Sequence, residues 1–157
     1  MKARIEYDNF VPEIYKALMP LEHHVRKSGL EESLLELVRM RASQLNGCAY
    51  CIDMHSKDAR AKGETEQRLY ALDAWRETPF YSDRERAALE WTEAVTLITN
   101  GHVPDAVFEA VRQHFSDQEL VNLTLAITSI NTWNRLSISF RVVPGDYQPQ
   151  GSAATAS

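Results

Sequence analysis

Apolar residues along this chain recur at three- and four-residue spacing, and nowhere do they alternate for long with polar ones among β-branched and aromatic types. That period is helical, so the pattern predicts an all-α fold. The punctuation agrees. Pro12 opens a first helix through EIYKALMPLEHHVRKSG, with Pro20 kinking or dividing it and Gly29 ending it. A second helix covers Glu31 to Leu45 and stops at Asn46 and Gly47, a pair suited to a helix C-terminus and a sharp turn. The third starts at the cysteines and stops near Gly63, and a short fourth spans Glu66 to Trp75. Ser82 and Glu85 write a capping box for the fifth, DRERAALEWTEAVTLIT, which Asn100 and Gly101 close. Pro104 opens a sixth through His114. Ser116 with Glu119 caps a long last helix, DQELVNLTLAITSINTWNRLSISFR. A faint echo links ELVRMRASQLN (Glu36 to Asn46) with ELVNLTLAITSIN (Glu119 to Asn131).

At 157 residues and 44% hydrophobic content, with six glycines and six prolines, the chain is long enough to bury a core and short enough to be one domain. That domain is expected over 1–157, with its core at 12–144. The stretch after Pro144, GDYQPQGSAATAS, has too little apolar content to offset the cost of ordering and is expected to be mobile over 145–157. A net charge of −5 without any Lys/Arg cluster disfavours nucleic acid as a partner. The start, MKARIEYDNF, turns acidic within six residues, and no apolar run has the length of a membrane span. The expectation is a cytoplasmic protein with no membrane contact. In a reducing compartment, two cysteines two residues apart point to transient redox chemistry or metal ligation rather than a permanent disulfide.

Both cysteines lie in NGCAYCIDMH, and on a helical wheel Cys48, Cys51 and His55 share one apolar stripe with Ile52 and Ala59, away from Asp53, Lys57 and Arg60. An ordinary thiol, with a pKa of about 8.5, is only about 3% thiolate at neutral pH, so a working cysteine needs help. The helix N-terminus favours Cys48 and falls short alone, which makes His55, one turn from Cys51, the expected base. Two cysteines at i and i+3 can also close a disulfide, one sulfur resolving a sulfenic acid formed on the other. Two plainer readings compete: three small core residues, and a zinc site of Cys, Cys, His and a carboxylate. The shared stripe argues against the first. The lack of a second Cys or His pair argues against the second, so no metal is assigned.

ELVRMRASQLNGCAYCIDMHSKDARAKGETEQRL resembles the core motif of the alkylhydroperoxidase D (AhpD-like) and carboxymuconolactone decarboxylase superfamily: a Glu, then Cys-x-x-Cys twelve residues on, then a His four beyond. In this chain those are Glu36, Cys48, Cys51 and His55. The similarity runs on through RLYALDAWRETPFYSDRERAALEWTEAVT to INTWNRLSISFR, about Pro12 to Pro144. It implies an AhpD-like bundle of about six to eight helices and a thiol-dependent hydroperoxide reductase. Cys51 would attack the peroxide, Cys48 would donate a proton and resolve the product to a redox-active Cys48–Cys51 disulfide, and Glu36 with His55 would relay protons. The resemblance also implies no bound cofactor, a small hydroperoxide substrate, an external dithiol reductant such as dihydrolipoamide or a lipoyl protein, and a homo-oligomer, trimer or hexamer. Alkylhydroperoxidase D has a histidine where this chain has Tyr50. The alternatives are a lactone-acid decarboxylase, a branch that does not need the cysteine pair, and a redox-sensing oligomer without turnover.

Without the resemblance, the residues say less of Glu36. In an antiparallel helix pair turning at Gly47, Glu36 and His55 lie at similar heights, about 16 and 12 Å from the turn. Yet the wheel groups Glu36 with Arg39 and Ser43 on a polar sector that suits solvent. Arg41 falls in the apolar arc, which suggests a buried ion pair or an oligomer contact. His23 and His24 are expected in solvent, and His102 and His114 beside loops. Asn131, Trp133, Asn134 and Arg135 recur in the family pattern, where they line the pocket or a contact, with helix packing the expected use of Trp133.

Overall fold

The computed structural model describes residues 1–149, and all regular structure among them is helical. A single turn, α1 (Tyr7–Phe10), precedes α2 (Ile14–Arg26), α3 (Glu32–Asn46), α4 (Ala49–Ala61) and α5 (Glu66–Ala71). A 3₁₀ helix (Leu72–Glu77) leads to α6 (Asp83–Thr96), α7 (Asp105–Arg112) and α8 (Asp117–Phe140). Both capping boxes form: Ser82 and Glu85 open α6, and Ser116 and Glu119 open α8, each backbone N–H meeting the other residue's side chain. No helix among the described residues is long and apolar enough to cross a membrane.

The differences from expectation are local. The first helix starts at Ile14 rather than Pro12 and passes through Pro20 as one element. The expected fourth helix breaks at Ala74, whose φ of −110° and ψ of 32° leave the helical region. The fifth stops at Thr96, short of Asn100. The largest difference lies beyond α8. Gly145 and Tyr147, expected to be mobile, are hydrogen-bonded to α4. Hydropathy missed this because the tethers are polar. The rest of that expectation, 150–157, lies outside the described residues.

The core is organised around α3, which packs against α4, α6 and α8. Its residues from Leu34 to Ser43 are buried without interruption. One apolar cluster joins Leu35 and Val38 to Val25, Trp91, Leu123 and Ile127; a second joins Leu37 and Met40 to Leu72, Trp75 and Leu89. A helix enclosed on every side buries its polar stripe too, so Glu36, Arg39, Arg41 and Ser43 lie inside. Each therefore needs a partner, since an unpaired buried charge is strongly destabilising. Arg41, itself buried, pairs with the partly buried Glu93 at 2.9 Å and with the exposed carboxylate of Asp73.

Candidate active site

The turn between α3 and α4 positions the cysteines. Gly47 takes the left-handed conformation (φ 70°), its N–H reaching Gln44 O at 3.1 Å while the N–H of Cys48 reaches Ser43 O at 2.9 Å. This pairing ends α3 and reverses the chain. Cys48 then becomes the N-cap of α4, its sulfur accepting the backbone N–H of Cys51 at 3.4 Å. Cys51 follows in the first turn, with Sγ 3.8 Å from Ser137 Oγ on α8. Both are free thiols, each 1% exposed, and they hydrogen-bond to each other.

Those contacts make the sulfurs unequal. The Cys48 thiol is brought down to about 7, first by the hydrogen bond from the Cys51 thiol; burial opposes, and the Cys51 N–H, Ser137 and Asn134 add to the pull. The same hydrogen bond, burial and the charge on Cys48 push Cys51 above the ordinary thiol range. The pair thus titrates as a unit, and its first negative charge rests on Cys48 at the helix N-terminus. His55, the expected base, is not among the leading influences on either sulfur. The pull comes from Cys51 and the α8 polar groups instead.

His55 is engaged with α3. Its Nδ1 lies 2.9 Å from Glu36 Oε2, and Glu36 Oε1 accepts from Arg39 Nη1 at 3.1 Å and Lys62 Nζ at 3.0 Å. Glu36 is 3% exposed and His55 7%, so the solvated carboxylate suggested by the wheel is a buried one. Burial alone would raise its carboxyl. The hydrogen bond and charge of His55, the charge of Arg39 and the hydrogen bond from Lys62 outweigh that and hold it at about 2. An ionised Glu36 places the imidazole proton on Nδ1 and leaves Nε2 for other partners. The polar chain continues from Arg39 Nη2 to Glu22 Oε2 at 3.1 Å, and Glu22 also accepts from Trp133 Nε1 at 3.1 Å and from Ser129 Oγ.

Both groups face one cavity of about 650 Å³, lined by Cys51, His55 and Glu36 and walled by rings including Tyr15, Tyr50 and Trp133. A volume of this order suits a small organic ligand. Glu36, His55 and Asp58 bring one ligand atom each within 4.8 Å of the others. With Lys62 and Arg39 both on Glu36, that set suits proton handling better than a divalent cation, which the two cations would repel.

The model of the carboxymuconolactone decarboxylase family matches residues 12–94. The chain belongs to this family. YdfG, an uncharacterised protein of Bacillus subtilis (strain 168), is 48% identical over 139 residues, 88% of this chain and 95% of its own length. A solved structure from Agrobacterium tumefaciens, a protein of unknown function described provisionally as the antioxidant defence protein AhpD, is 47% identical. It matches with a TM-score of 0.89 over 93% of this chain and all of its own. An uncharacterised peroxidase-related protein of Ralstonia eutropha with the alkylhydroperoxidase AhpD core shares the fold at 22% identity. Its TM-score is 0.76, over 86% of this chain and 72% of its own.

Within this family member, three of the four residues singled out by sequence, Glu36, Cys51 and His55, line the cavity, and the four form two contacts: Cys48 with Cys51, and Glu36 with His55. Trp133 lines the cavity and stacks on Tyr15, centroids 5.9 Å apart. Asn134 is fully buried beneath the cysteines, bonded to Asn46 at 2.8 Å and Ser43 at 3.0 Å. Arg135 bonds Asn131, and His23 and His24 lie in solvent, with His24 reaching Asn122. Sequence reasoning missed Glu22, Lys62, Asp58, Ser137 and Tyr147. Ser137 sits three residues beyond Asn134 on the same helix side, a signal periodicity could have supplied. Asp58 and Lys62, three and seven residues beyond His55 on the same side of α4, carry the same signal, whereas Glu22 and Tyr147 carry none.

Proposed function

We propose that this protein is a thiol-dependent hydroperoxide reductase that cycles Cys48 and Cys51 between dithiol and disulfide. One observation carries the reading: Cys51 lines the cavity and hydrogen-bonds to Cys48, while the Glu36–His55 pair lines the same cavity. The resting charge belongs to Cys48, so Cys48 takes the proton of Cys51 and the charge moves to the sulfur that faces substrate, within reach of the Ser137 hydroxyl. The Cys51 thiolate attacks one peroxide oxygen, the O–O bond breaks, and the departing alkoxide takes a proton that Nε2 of His55, oriented by the Glu36 contact at Nδ1, has picked up from water. Cys51 is then a sulfenic acid. The Cys48 sulfur attacks it, the S–S bond forms and water leaves. An external dithiol of the dihydrolipoamide class, free or on a lipoyl protein, restores both thiols and leaves as its own disulfide.

Peroxide consumption with a dithiol reductant tests this in the wild type, Cys51→Ser and Cys48→Ser. The expected result is loss of turnover in both, with a sulfenic acid trapped only when Cys48 is replaced; unchanged turnover in Cys51→Ser would end the reading. The proposed assembly is a homo-oligomer, trimer or hexamer, to which exposed apolar side chains such as Phe10, Val121 and Ile138 offer contact surface. Light scattering on the eluting protein measures it.

A further inference from the structure

The cavity over Cys51 is bordered by Ile5 and the α1 residue Tyr7 from before α2, and by Val142, Val143 and Tyr147 from the irregular chain after α8. The second segment leaves α8 through Arg141 in the left-handed region (φ 56°) and turns again at Gly145 (φ 124°), which lays it along α4. Polar groups of α4 hold it there. Lys57 Nζ donates to the carbonyls of Gly145 at 2.8 Å and Tyr147 at 3.1 Å while paired with Asp53 at 2.9 Å. Asp53 accepts the N–H of Gly145 at 3.1 Å, and the Tyr147 hydroxyl donates to Asp58 at 2.8 Å. Asp58 is the neighbour of Glu36 and His55, so Tyr147 closes the cavity beside that pair.

No residue from Arg141 to Pro149 is buried. A segment held by exposed and half-buried hydrogen bonds, with no fully buried side chain of its own, opens at low free energy. Beneath it, Cys51 is 1% exposed and lines the cavity that this segment borders.

We propose that residues 142–147 are a latched lid over Cys51, with Lys57 as the clamp and Tyr147 as the residue that decides which peroxides reach the sulfur. Small hydroperoxides pass with the lid closed. Those carrying a bulky apolar group enter when it lifts. The selectivity rests on the peroxide-reducing reading, whereas access to the thiol does not.

Two measurements on Lys57→Ala, Tyr147→Ala and Tyr147→Phe test this. The first is the rate at which iodoacetamide alkylates Cys51 in the reduced protein, located by peptide mapping, which needs no turnover. Removing the clamp is expected to raise it about tenfold, the equivalent of one charge-assisted hydrogen bond. The second is the ratio of kcat/KM for cumene hydroperoxide to that for hydrogen peroxide, expected to rise severalfold in Tyr147→Ala and less in Tyr147→Phe, which loses only the hydroxyl. Wild-type alkylation rates in both Lys57→Ala and Tyr147→Ala would overturn the lid. A faster alkylation with an unchanged peroxide ratio would overturn the role of Tyr147 in selection. If the wild type consumes neither peroxide, the alkylation rates still decide the lid, and the failure belongs to the functional reading.

Discussion

Cys48 and Cys51 share a stripe and a motif, yet only Cys48 caps a helix, and that difference orders their chemistry. Below pH of about 7 the pair is fully protonated; above it one thiolate forms, so reactivity falls as pH drops through that value. In Cys51→Ala the main stabilising donor is gone, and the thiolate absorbance of Cys48 should titrate nearer the ordinary value of about 8.5. An unmoved midpoint would mean that the helix N-terminus alone sets it. Glu36 gives the opposite kind of pH dependence. Its carboxyl sits at about 2 when folded against an ordinary 4.5, so its contribution is fully present above pH 4.5 and fades as pH falls toward 2. Glu36→Gln leaves Arg39 and Lys62 facing a neutral group and should cost about 3–5 kcal/mol at neutral pH. Urea denaturation at pH 7 and pH 3 checks the sign: the gap between wild type and Glu36→Gln should narrow in acid.

Among the elements, the α3–α4 turn matters most, because it sets where α4 begins and therefore which residue caps it. Gly47 holds a left-handed φ of 70°, and a Cβ there would meet nothing within 4 Å. Replacement by Ala thus carries only the backbone cost of that conformation, about 1–2 kcal/mol. Gly47→Ala should lower stability by that amount in chemical denaturation and raise the Cys48 midpoint if the cap shifts with the turn. Sequence announced this element plainly through Asn46 and Gly47. It announced the two capping boxes as plainly, since the bonds involved are local. The break at Ala74 and the tethering of Gly145 and Tyr147 were not legible, because both depend on what lies across from the segment.

For the molecule as a whole, the decisive feature is that α3 is enclosed. Leu37 is fully buried among Leu72, Trp75 and Leu89, so Leu37→Ala should cost about 2–5 kcal/mol in urea denaturation through the cavity it leaves. The same enclosure turned a polar stripe into an internal chain running from Glu22 through Arg39 and Glu36 to His55. The amino-acid sequence by itself determined the helical class, most helix ends, the pairing of the cysteines and the place of Cys48 at a helix start. These follow from interactions between residues a few positions apart, which a linear reading contains. The tertiary structure alone decided that Glu36 is buried, that His55 pairs with it, that Ser137 and Asn134 touch the thiols, and that Tyr147 lines the cavity. Each of those contacts joins residues 19 or more positions apart. Which distant groups meet is set by how the helices pack, and hydropathy along the chain does not encode it.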